Sequence, residues 1–142
     1  MKYFTGEGFG RTFVLSLDQG DYLLESINNL IQKENIRNGI VATAMGTLDQ
    51  CVLHMVMTTG YPAADHFEHW EKPLELASAT GIIADGKAHI HAVVSDLEKA
   101  YAGHLEEGCR VLYLLEVTII ELVSPNLTRI MNDKNIWKLA DK

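Results

Sequence analysis

Cysteine is scarce in this chain. Cys51 and Cys109 stand alone, far apart and outside any Cys-x-x-Cys spacing. That excludes a disulfide-stapled scaffold and a thiolate metal cluster, and leaves two free thiols of the kind a reducing compartment preserves. Basic residues are also few, with 12 Lys and Arg against 19 Asp and Glu and a net charge of −7. They are scattered, so no basic patch is visible to meet a phosphate backbone, and direct duplex binding is disfavoured. No apolar run approaches the ~18 residues of a membrane span. The N-terminal Met1-Lys2-Tyr3-Phe4-Thr5-Gly6-Glu7 lacks the apolar core of a secretory signal, so the chain is expected to be cytoplasmic and without membrane contact. Linkers, internal repeats and low-complexity tracts are missing too, which leaves residues 1–142 as a single domain.

Two familiar chemistries drop out for want of context. Gly6-Glu7-Gly8-Phe9-Gly10 is glycine-rich but follows no strand and opens no suitable helix, so a phosphate loop is excluded. Ser16, Ser78 and Ser95 have no nucleophile-elbow surroundings.

What is present is mostly strand. Arg11 to Leu17 alternates and predicts a first strand. Tyr22 to Glu34 carries Leu23, Leu24, Ile27, Leu30 and Ile31 at helical spacing, with Asp21 as the expected cap and Asn38-Gly39 as the stop. Strands are expected over Ile40–Ala44, Asp49–Met57, Phe67–Trp70, Pro73–Ala84, Lys87–Ser95 and Ala100–Leu105, with a bend at Met45-Gly46 and a loop from Thr59 to Asp65. On Pro73–Ala84 the alternation puts Leu74, Leu76, Ser78 and Thr80 on one side. Asp85-Gly86 signals a tight hairpin. Val111 to Val123 is nearly continuous Leu, Ile and Val and predicts a central strand buried on both faces. A closing hairpin follows over about residues 127–140. The fold class is α+β, a mixed and mainly antiparallel sheet with one main helix. One helix covers one sheet face, so self-association through the other is expected.

The chemistry gathers on histidines. His89 and His91 flank Ile90, and His104 follows 13 positions after His91. Residues i and i+2 of a strand share a face, so two imidazoles project together and a third on a neighbouring strand can join them. Two readings stand. The three are ligands of a divalent, zinc-type metal with an open fourth position, or they are hydrogen-bonding histidines of a polar pocket. Glu106, two residues beyond His104, is the first candidate acid or base beside such a site, and Glu75 on the paired strand the second. His66, Glu68, His69 and Trp70 read as a solvated loop edge, His54 as a half-buried strand residue, and Arg11 and Arg110 as surface ion pairs.

The order of four segments carries a resemblance. Leu15-Ser16-Leu17-Asp18-Gln19-Gly20-Asp21 leads into the helix. Pro73-Leu74-Glu75-Leu76-Ala77-Ser78-Ala79-Thr80-Gly81 follows. Gly86-Lys87-Ala88-His89-Ile90-His91-Ala92-Val93-Val94-Ser95-Asp96 then runs on to Ala102-Gly103-His104-Leu105. Over residues 10–123 this resembles the plants-and-prokaryotes-conserved (PPC) domain in its stand-alone prokaryotic type. The resemblance implies an α+β fold assembled as a homotrimer and a zinc-type divalent metal on His89, His91 and His104. The histidine order is also similar to that of the zinc enzyme acetolactate decarboxylase. Two functions follow from it: a metal-binding protein for a small molecule, with lyase or hydrolase chemistry open to it, or a DNA-associated regulatory protein. The Arg-Gly-Arg-Pro AT-hook of the plant proteins is absent here, and the Gly-Gly usual before the third histidine is Ala102-Gly103, where Gly103 still permits close backbone approach.

Overall fold

The computed structural model describes residues 1–142. The elements run β1 (Phe9–Asp18), α1 (Leu23–Lys33), β2 (Gly39–Val56), β3 (Asp65–Ala84), β4 (Lys87–Ser95), β5 (Ala100–Leu105), β6 (Arg110–Leu122), β7 (Leu127–Met131) and β8 (Trp137–Asp141). Six strands form one sheet in the order β1-β6-β2-β3-β4-β5, and β7 pairs with β8 alone. The strand-rich α+β architecture with one helix is as the sequence predicts. The expected mixture of strand directions is not found, since every pairing is antiparallel.

Two expected pairs of strands are single long ones. β2 runs through Met45-Gly46 with register shifts and no break, because Gly46 at φ 152° lets the strand bulge close against Leu114 and Leu115. β3 likewise runs through Lys72-Pro73, which sit in a register shift opposite Asp49. Proline is tolerated there because a bulge needs no donor. A second shift, between Leu76 and Ser78, inserts Ala77 and reverses the alternation. Leu74 and Leu76 are therefore buried, but so is Ala79, while Thr80 turns to the open face rather than staying with the leucines.

Helix α1 buries Leu23, Ile27 and Ile31 against the sheet, each such side chain contributing about 1.5–3 kcal/mol. Its N-cap is Tyr22 with no side-chain bond, and Asp21 instead accepts from the Asp18 backbone N–H. The helix ends at Lys33 with Glu34 as the cap, within one residue of the expected end, and a short turn leads on to Asn38-Gly39. Asn35 takes a left-handed conformation at φ 52° just past the Glu34 cap, a conformation asparagine adopts readily. Asp85 and Gly86, both at positive φ, make the expected hairpin turn. Strand β6 is central but not buried on both faces. Val111, Leu115, Val117 and Ile119 are buried, whereas Tyr113 and Leu114 are exposed.

One pairing shapes everything near the histidines. β5 bonds to β4 and also to the second half of β2, through Leu53↔Leu105 and His54↔His104. Strands β2, β3, β4 and β5 thereby close into a ring. Gly103 makes the closure: a Cβ there would lie 2.6 Å from the His54 carbonyl oxygen and 3.2 Å from Leu53 Cβ. Gly103→Ala is expected to lower stability by about 1–3 kcal/mol, the usual cost of overpacking. A urea midpoint equal to the parent's would show that the closure has room for a methyl group.

Candidate metal centre

Directly paired residues of antiparallel strands point to the same face. The pairs His54↔His104 and His104↔His91 therefore set three imidazoles in one row across β2, β5 and β4. The row starts at Phe67, paired with His54, and ends at Thr80, paired with His91. Both ends lie on β3, as ring closure requires. His89 lies two residues from His91, on the same face. The opposite face carries buried Leu53, Ile90, Ala92 and Leu105.

His104 is the hub. Its ring centroid lies 4.4 Å from His54, 4.9 Å from His89 and 5.6 Å from His91, and His89 and His91 are 5.2 Å apart. Glu106 follows in the turn after β5. Its Oε1 lies 2.6 Å from Nδ1 of His54 and 3.0 Å from Nδ1 of His104. An ionised carboxylate only accepts, so each Nδ1–H donates to it and each Nε2 keeps its lone pair outward.

Burial pushes the His89 imidazole down to about 4, helped by the charges of His104, Arg129, His91 and His54. Although its edge is exposed, the positive and titrating neighbours act in one direction and hold it neutral. Burial also lowers His104, with His54 adding to the shift and Glu106 opposing it. Neutral imidazole is the ligand form.

The ligand atoms of His54, His104 and Glu106 all lie within 4.8 Å of one another and could hold a metal ion. Donors around an ion with bonds of about 2.0–2.2 Å sit roughly 3–4 Å apart, so small side-chain rotations close the set. Two imidazoles and a carboxylate suit a zinc-type divalent ion. His89 and His91 lie beside this group but contribute no atom to it.

The expected residues thus separate. His89, His91, His104 and Glu106 are brought together. Glu75 is exposed opposite Ser95, four residues along β4 from His91 and so about 13 Å away. His66 pairs with Glu68 at 2.7 Å on the surface, and Trp70 packs on Tyr101. Arg11 binds Glu121 and Glu34, and Arg110 binds Asp49. Sequence reasoning passed over His54, because its neighbour across the ring is known only from the β2–β5 pairing. It also passed over Arg129, which the closing hairpin carries to the same place.

Known proteins resemble the chain over most of its length. It is 26% identical over 112 residues to the bifunctional protein GlmU of Synechococcus sp. (strain JA-2-3B'a(2-13)), a stretch that is 78% of this chain and 17% of that protein. The chain thus spans less than a fifth of the length of the curated relatives it matches. A metal-containing protein from Archaeoglobus fulgidus has the same fold, with a TM-score of 0.81 at 23% identity, over 97% of this chain and 99% of that one. A conjectured DNA-binding protein from Bacteroides thetaiotaomicron follows at 0.78 and 17% identity, over 97% of each chain. The family model described as the Plants and Prokaryotes Conserved (PCC) domain matches residues 4–123, and the chain belongs to that family.

Proposed function

We propose that His89, His91 and His104 hold a zinc-type divalent ion and that the chain works as a metal-binding module, assembled as a cytoplasmic homotrimer. The observation that carries this reading is the triangle of ring centroids at 4.9, 5.2 and 5.6 Å. Imidazoles bound to one tetrahedral ion at about 2.1 Å have centroids roughly 5.2 Å apart. Rotation about χ2 turns the nitrogens inward without moving the centroids far. Glu106 then orients His104 from behind through Nδ1, the common carboxylate–imidazole–metal arrangement. It is also the nearest acid or base to the site, whereas Glu75 is too distant for a direct part. When bound, such an ion would supply a Lewis acid with an open position.

The homotrimer is supported by the uncovered sheet face, where Val14, Met45 and Leu114 are exposed. Apolar groups in that number on one sheet face favour association. The match inside a much longer protein supports a module that can be joined to other units.

A DNA-associated role is the second reading. The comparisons support it better than they support the first reading, since two neighbours of the same fold, at 17% and 20% identity, are conjectured DNA-binding proteins. Charge weighs against direct contact with the duplex, because a trimer would carry three times the −7 of each chain. In an electrophoretic shift assay at ~150 mM salt, the purified protein alone is expected to leave duplex DNA unshifted. A salt-dependent shift would promote the second reading over the first.

Elemental analysis tests the metal. Wild type is expected to carry about one ion per chain after chelator-free purification, His91→Ala and His104→Ala to lose it, and His54→Ala to keep it. Loss from His54→Ala with retention in His91→Ala would make His54, His104 and Glu106 the ligands. Wild type that binds no metal on titration would remove the reading. Glu106→Gln is expected to weaken binding about 10–100-fold.

The metal-free protein should also be sensitive to acid. His89 in the folded state titrates at about 4 against 6.5 in the unfolded chain. Between those values the unfolded chain binds a proton that the folded one refuses, so stability falls as pH drops from about 6.5 and levels off below about 4. His89→Gln should flatten that part of the urea-midpoint profile.

A further inference from the structure

A cleft of about 620 Å³ opens between the histidine row and the C-terminal hairpin. Its sheet side carries His54, His89 and His104, and its hairpin side Thr128, Arg129 and Trp137. That volume falls in the usual range for small-molecule sites.

The charge in the cleft is opposite to that of the chain. Arg11, Arg37 and Arg110 each meet a carboxylate. Arg129 meets none. Its Nη1 and Nη2 donate at 2.9 Å to the carbonyls of Lys87 and Ile82, which uses two of five N–H groups and neutralises nothing. Burial alone lowers its pKa, with no anion acting to raise it. Lys87 also lines the cleft and makes no ion pair. The one carboxylate in the lining, Asp85, is matched by Arg37 and Lys142. Two cations, Arg129 and Lys87, therefore stand without an ion-pair partner in a concave site.

We propose that this cleft binds a small anion, carboxylate or phosphate, whose charge is met by Arg129 and Lys87. A guanidinium with free N–H groups suits either acid, since both present paired oxygens. The proposal rests on the metal reading for what lies beside the anion, and on Arg129 and Lys87 for the charge that attracts it. Strands β7 and β8 lie beyond the 4–123 family match, so the hairpin side of the cleft is built from residues outside that match. Trp137, 60% exposed on the hairpin and lining the cleft, forms the aromatic wall.

The test is titration of the full chain, metal-loaded and chelator-treated, with pyruvate, inorganic phosphate and methylammonium, followed by calorimetry and tryptophan fluorescence. At least one of the two anions is expected to bind and methylammonium is not. Whichever anion binds identifies the source of the charge. Arg129→Met and Lys87→Met are each expected to weaken binding about tenfold or more. Arg129→Lys keeps the charge and should retain most of the affinity, which separates loss of charge from a displaced hairpin. A metal-loaded protein that binds neither anion, or an Arg129→Met protein that binds as well as wild type, overturns the proposal. Arg129-dependent binding in a protein that takes up no metal leaves it standing and removes the metal reading alone.

Discussion

The pairing of β5 with the second half of β2 is the constraint on which the rest depends. Without it, β5 is an edge strand and His104 has β4 alone beside it. With it, His54, His104 and His91 fall in one row, and Glu106 comes within hydrogen-bonding reach of two rings at once. The approach needs a residue without a side chain at position 103, and Gly103 supplies one. Backbone spacing across strands of about 4.8 Å then sets the imidazole separation. The site's dimensions follow from sheet geometry before any side chain is chosen.

Crowding four imidazoles has a chemical consequence. Each proton taken up by one ring raises the cost for the next. Burial of His89 and His104 pushes in the same direction. His89 and His104 are therefore held toward the neutral form, in which a nitrogen lone pair remains available. Glu106 is the only carboxylate among them, and it is engaged by Nδ1 of both His54 and His104.

Much of this was legible in the chain. The helix, the Asp85-Gly86 turn and the closing hairpin are local features with local signals, as is the shared face of His89 and His91. The link from His104 to Glu106 was legible for the same reason. Reading failed where a bulge or a distant pairing intervened. One inserted residue, Ala77, reverses the facing of β3 beyond Leu76, and periodicity has no means of registering it. His54 gains its importance from a strand about fifty positions later. Strand β6 looked buried on both sides because a continuous apolar run does not say whether the second cover belongs to the same chain.

Arg129 holds the C-terminal hairpin to the sheet through main-chain carbonyls of Ile82 and Lys87. Every amino acid offers that acceptor. The fastening is therefore blind to the side chains at positions 82 and 87, one of which faces the cleft. Substitution there can reshape what the cleft admits while the hairpin keeps its seat. An anchor of this kind separates evolvability from integrity: the wall stays fixed while its furnishing drifts.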